Sequence, residues 1–152
     1  MLEPVAAPYL AFRHWHVDGD RLCSVGRHPL PSAACPSGAG ASGRIEWPVE
    51  RITALPCASG PAPVLACSCG LYATRELKDP GPAWRSGPHY AHHMIGAVAL
   101  WGRVVEHEWG YRAQHARPVA LLEGFGAQRL ADAYGIPLLS AGELVACVGA
   151  GS

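Results

Sequence analysis

Lysine is all but missing from this chain: of its twelve Lys and Arg residues, only Lys78 is a lysine. That skew reads as GC-rich coding rather than as function, although a guanidinium suits bidentate contact with anions. Net charge of either sign is missing too. Twelve basic residues balance twelve acidic ones and the pI is near 7.1, so no whole-chain field exists to attract DNA or RNA. Long apolar runs are also absent. The longest, Ile95 to Trp101, falls far short of the roughly 20 residues that cross a bilayer. The N-terminal Met1-Leu2-Glu3-Pro4-Val5 carries an acid where a secretory leader carries positive charge, and no leader-length apolar stretch follows. The expectation is a cytoplasmic protein with no membrane segment and no nucleic-acid partner. Walker loops, Gly-x-Ser-x-Gly elbows and His-Glu-x-x-His helices do not occur either, so those familiar signatures assign nothing here.

What the chain does have is turn formers and enough apolar content for one core. Hydrophobic residues make up 49%, which excludes global disorder, and 152 residues fit a single domain over 1–152. Eighteen glycines and fourteen prolines imply short elements joined by many turns. Residues 9–17 alternate in polarity toward their end, Asp18-Gly19-Asp20 follows, and Arg21 to Val25 resumes an extended pattern. That spacing predicts a β-hairpin. Residues 27–43 and 80–93 read as loops, and Arg44 to Val49 as a short edge segment, because Pro48 cannot donate to a ladder. Leu71 to Lys78, stopped by Asp79-Pro80-Gly81-Pro82, is expected to be a short helix. Ile95 to Trp109 is rich in valine and weak in helical periodicity, so a long strand is expected, with a bulge or bend at Gly102. Tyr111 to Leu122 should return beside it. Two helices should finish the chain: Ala127 to Tyr134, closed by Gly135 and Pro137, and Ser140 to Cys147, opened by a Ser140/Glu143 capping box. The fold class is therefore α+β, a small bent antiparallel sheet or partial barrel with short peripheral helices and a cysteine-rich loop.

That loop holds Cys67-Ser68-Cys69-Gly70, with Cys57 ten residues upstream, so three of the six cysteines fall within thirteen positions. The other three are Cys23, Cys35 and Cys147. A Cys-x-Cys pair rarely reaches the separation a disulfide needs, whereas two thiolates leaving one turn can fill two corners of a tetrahedron. Zinc is the expected ion, with Cys57, Cys67 and Cys69 as ligands and a fourth from the eight histidines. His93, in the run His89-x2-His92-His93, is the candidate carried forward, and His107 is the other. Two further readings stay open: the thiols as small buried hydrophobes or redox groups, and a disulfide.

On an extended strand Trp101, Arg103, Val105, His107 and Trp109 share one face, and Arg112 follows at its mouth. Aromatics, an imidazole and guanidiniums on one face suit a pocket lining, so these residues are the candidate ligand-binding set. Glu106, His107 and Arg112 are also the residue types of acid/base catalysis with anion binding. Adjacent strand residues point to opposite faces, however, so at most two of them can serve one site. His14 and His16 share a face with Trp15 on the other; the simplest reading makes Trp15 core and the histidines exposed.

The segments Cys67-Ser-Cys-Gly-Leu-Tyr-Ala73 and Gly96-Ala-Val-Ala-Leu-Trp-Gly-Arg-Val-Val-Glu-His-Glu-Trp-Gly-Tyr-Arg-Ala113 resemble a small cysteine- and tryptophan-containing domain of uncharacterised actinobacterial proteins. The resemblance spans about residues 45–122. It implies a shared fold and a bacterial cytoplasmic setting, and it implies no activity. Those relatives often carry a histidine between the counterparts of Cys57 and Cys67, where this chain has Ala58-Ser-Gly-Pro-Ala-Pro63. Taken together, the leading expectation is a zinc-stabilised module that binds a small molecule or a partner protein through its aromatic face. Its rivals are a small enzyme of specialised metabolism, acting through Glu106, His107 or a thiolate, and a thiol or metal sensor using Cys67 and Cys69.

Overall fold

In the computed structural model, described for residues 8–25, 44–54, 60–63, 65 and 70–150, the strands form one bent, mostly antiparallel sheet with short helices at its periphery. Strand β1 (Tyr9–Asp18) turns into β2 (Arg21–Val25) through Gly19-Asp20, with Asp18 opposite Arg21. Gly19 has φ 60°, and no non-glycine residue among those described has a positive φ. That is the II′ pattern, glycine first, whose twist matches the flanking strands. Strand β3 (Arg44–Glu46) continues the sheet beside β2, as expected of that edge segment.

Strands β4 (Ile52–Thr53) and β5 (Leu71–Thr74) are short and lie farther along. The second corrects the sequence reading, since Leu71 to Lys78 is not a helix. Leu71 and Ala73 are buried while Tyr72 is exposed, the period-2 signature of a strand. An isolated eight-residue helix is marginal in water, and the ladder that β5 joins outweighs the local propensity. Residues 80–93 are likewise more ordered than a loop. They hold α1 (Pro82–Arg85) and a 3-10 turn (Pro88–Ala91). Arg85 fixes this segment, donating from Nε and Nη2 to the Asp79 carboxylate at 3.0 and 3.3 Å and from Nη1 to Glu123 O at 2.7 Å.

The long hairpin follows as expected, β6 (His93–His107) and β7 (Gly110–Leu122). β6 lies between β1 and β7. The outer edge of β7 takes β4 and β5, and β5 touches β1 at one pair, Phe12 opposite Thr74. The sheet therefore curls into a partial ring without closing as a barrel. Helix α2 (Ala127–Tyr134) buries Ala127, Leu130, Ala131 and Tyr134, an i, i+3, i+4, i+7 stripe, and ends at Gly135 with φ 64°. Strand β8 (Leu138–Leu139) adds to β7 in parallel. Helix α3 (Ala141–Ala150) opens with the reciprocal box: Glu143 N–H donates to Ser140 Oγ at 3.2 Å, and Ser140 N–H to Glu143 Oε1 at 2.9 Å.

Trp15 and Trp47 meet edge to face at 5.5 Å in the core, with Leu22, Met94, Val98, Leu100, Leu121 and Leu122 buried around the sheet. Two buried tyrosine hydroxyls tie backbones together. Tyr90 donates to Leu122 O and receives Ile95 N–H, and burial raises its pKa. Tyr134 receives Leu22 N–H at 2.8 Å and donates to Trp47 O at 2.6 Å. Among the described residues, no helix is long and apolar enough to cross a membrane. The expected 27–43 loop and the cysteines Cys57, Cys67 and Cys69 lie outside the described residues.

Candidate functional site

The bulge in β6 decides which side chains can meet. Trp101 lies opposite His115 and Val104 opposite Ala113, so β6 takes three steps where β7 takes two. Opposed residues share a face, and His115 and Ala113 are two apart; Trp101 and Val104 therefore share one face, and Val105 and His107 take the other. The expected grouping of Trp101 with His107 fails by this one residue. Gly102 is the bulge, at φ 77°, where a Cβ would come within 2.7 Å of His115 and 2.8 Å of Gln114. Arg103 is exposed, its N–H donating to Gln114 Oε1 at 3.1 Å. Trp101 is half-buried with its ring 5.7 Å from that of His115, which bonds Thr53 through Nδ1 at 2.9 Å.

Beyond the bulge, His107 opposes Gly110 and Val105 opposes Arg112, with Tyr72 of β5 beside Arg112. His107, Arg112 and Tyr72 thus share a face. The Tyr72 ring lies 5.8 Å from the His107 ring, and Arg112 is 7% exposed. The two-residue turn Glu108-Trp109 has no positive φ, the less favoured geometry for a tight hairpin. Arg75 holds it: Nη1 donates to His107 O at 2.6 Å and to Glu108 O at 3.1 Å, and its backbone N–H to Trp109 O at 3.1 Å. The same guanidinium lies 4.9 Å over the Tyr111 ring and 3.5 Å from Glu106. Glu106 therefore belongs with Tyr111, on the face away from His107, and the two do not form an acid/base pair.

His107 has an orphaned donor. Its Nδ1 accepts the Trp109 N–H at 3.4 Å, which assigns the proton of the neutral ring to Nε2. Nε2 is buried and has no hydrogen-bond partner. Beside it stands the Tyr72 ring, 41% exposed, and Trp109, 68% exposed, occupies the adjoining turn, while the Tyr9 ring packs on Tyr111 on the other face. A third guanidinium approaches from β1, Arg13 donating to Tyr72 O at 2.5 Å and lying 4.8 Å over Trp47. Burial lowers its pKa to about 10. Arg112 shares the face of His107, whereas Arg75 is paired with Glu106 on the other. Tyr72, Arg75 and Arg13 were absent from the expected set, the first two because their segment reads as a helix.

At the other end of β6, His93 is half-buried and faces His16, its direct partner across the ladder. The His16 and His93 rings are 4.8 Å apart, His14 and His93 5.5 Å, and His14 and His16 6.3 Å. As the side chains stand, no group of three or more His, Cys, Asp or Glu among the described residues is set to hold a metal ion. Cys23 is a buried thiol and Cys147 a half-buried one. Comparison with protein-family models, with curated proteins and with solved structures gives no match for the chain.

Proposed function

We propose that the chain is a small binding module that takes a planar, carboxylate-bearing small molecule at the tip of the β6–β7 hairpin. The observation that carries the reading is the orphaned Nε2–H of His107, a buried donor that lacks an acceptor. Leaving such a group unpaired costs about 1–3 kcal/mol, which a ligand oxygen recovers. The surroundings favour an anion, since the Arg112 guanidinium shares the face of His107 and Arg13 reaches in to Tyr72 O beside it. They also favour a flat one, since Tyr72 and Trp109 offer ring faces. Tyr72 is 41% exposed, so its ring has room to turn aside and admit the ligand to Nε2. Two thiols, Cys23 and Cys147, suit the reducing bacterial cytoplasm that this reading assumes.

Benzoate and indole carboxylates are suitable probes. Titration followed by NMR should move the His107 imidazole and Trp109 indole resonances. His107→Phe, which keeps the ring and removes the donor, should weaken binding about tenfold or more, the worth of a hydrogen bond to a charged group. Unmoved tip resonances, or equal affinity in His107→Phe, would sink the reading.

A further inference from the structure

We propose that His14, His16 and His93 form a site for a divalent late first-row metal ion, zinc foremost, held by three imidazoles. This keeps the expected ligand His93 and gives it imidazole partners in place of thiolates. His14 and His16 are two residues apart on β1 and so leave the same face, while His16 and His93 are direct partners across the β1–β6 ladder. With Zn–N near 2.1 Å, an imidazole centroid lies about 3.2 Å from the ion, and two rings at the tetrahedral angle are about 5.2 Å apart. The His16–His93 and His14–His93 separations, 4.8 and 5.5 Å, lie on either side of that value, while the stacked His14 and His16 rings, 6.3 Å apart, would have to draw together.

The ring nitrogens do not converge as the side chains stand, so the site requires rotation about χ1 and χ2 when the ion binds; His14 is exposed and His16 and His93 are half-buried, outside the fully buried core. The backbone beneath them is fixed. Trp15, between the two β1 histidines, is fully buried, and Val17 N–H donates to His92 O at 3.0 Å just beyond the cluster. Rigid strands with mobile ring ends are a suitable base for a coordination site. Nitrogen donors without a carboxylate select zinc, cobalt, nickel or copper over magnesium or calcium.

The test is a cobalt titration of the full chain after chelation. Cobalt reports stoichiometry and ligand type together, through its visible d–d bands and through charge transfer if a thiolate binds. The expected result is one ion per chain with nitrogen-type bands and no thiolate charge transfer. Affinity should fall about 100-fold or more in His16→Ala and in His93→Ala, since even outer-shell changes cost 10–100-fold. It should hold in His115→Ala and in the combined Cys57→Ser, Cys67→Ser, Cys69→Ser variant. His16→Asn stands in if the alanine variant does not fold, as judged by circular dichroism. No bound ion overturns the site, as does affinity indifferent to His16 and His93. A thiolate band lost in the serine variant also overturns it and moves the ion to the cysteine loop.

Discussion

The two halves of β6 are one strand in two environments. From Met94 to Leu100 every residue is buried, whereas beyond Gly102 the strand is half-buried or exposed throughout. The near half is paired on both edges, by β1 and β7, and its run Ile95 to Leu100 has no polar residue. The far half leaves β1 and pairs with β7 alone, and there Arg103, Glu106 and His107 appear. A continuous apolar run marks a strand covered on both faces, and the return of charge marks where cover ends. The border is a single glycine. The near half carries the fold with a histidine cluster at its outer end, while the far half presents side chains.

Substitutions should grade this contrast. The largest effect is expected of Gly96→Ala, in the near half. Its Cβ would lie 2.3 Å from Ala120 O and 3.0 Å from the Trp15 ring, and a backbone carbonyl cannot give way cheaply. A loss of about 3 kcal/mol in denaturant unfolding is expected, and a loss under about 1 kcal/mol would mean the near half is loosely packed. Next comes the Asp79–Arg85 pair, which anchors the segment leading into the near half. Burial pushes the Asp79 carboxyl up, but the bonds from Arg85 and from Gly81 N–H outweigh it and leave the pKa below the ordinary value. A lowered carboxylate pKa adds stability at pH above the unfolded value, about 3.9, and that stability is lost as pH falls through and below it. Asp79→Asn should cost about 2 kcal/mol at pH 7 and flatten the acid limb of melting against pH. An unchanged acid limb would show that the pair contributes nothing.

The border itself comes third. Gly102→Ala forces a side chain onto φ 77° against His115 and Gln114, at about 1–2 kcal/mol. Cross-strand NOEs from Val104 to Ala113 should weaken while those from Leu100 to Ala116 persist; loss of both sets would deny that the halves are separable. The smallest effect belongs to Trp109→Ala, which removes a ring 68% exposed at the tip and should stay within about 0.5 kcal/mol. A loss beyond about 1.5 kcal/mol would make the tip part of the core.

Much of this fold is legible in the chain because local chemistry and tertiary context agree. Gly19 after Asp18 marks the hairpin, Gly135 the end of α2, and Ser140 with Glu143 the start of α3. The bulge at Gly102 is visible as a glycine inside a valine-rich run, but its consequence is not. Counting by twos across it places Trp101 beside His107, and only the register with His115 and Ala113 reverses that. β5 is hidden for a different reason. Four residues with ordinary helix formers after them look helical until β7 supplies a ladder, and with β5 goes any view of Tyr72 and Arg75 at the tip. The imidazole cluster joins residues 14 and 16 to residue 93, a pairing that strand order sets and that spacing along the chain cannot reveal.

Tyr134 has a consequence for the order in which the molecule is made. Its hydroxyl satisfies Leu22 N–H and Trp47 O, groups 112 and 87 residues earlier in the chain. Until α2 has emerged from the ribosome and docked, those two backbone groups lie where a dry interior would leave them unpaired. The β1–β2 hairpin and Trp47 are therefore sealed only once α2 docks on them, so this part of the core waits on contacts of long sequence separation.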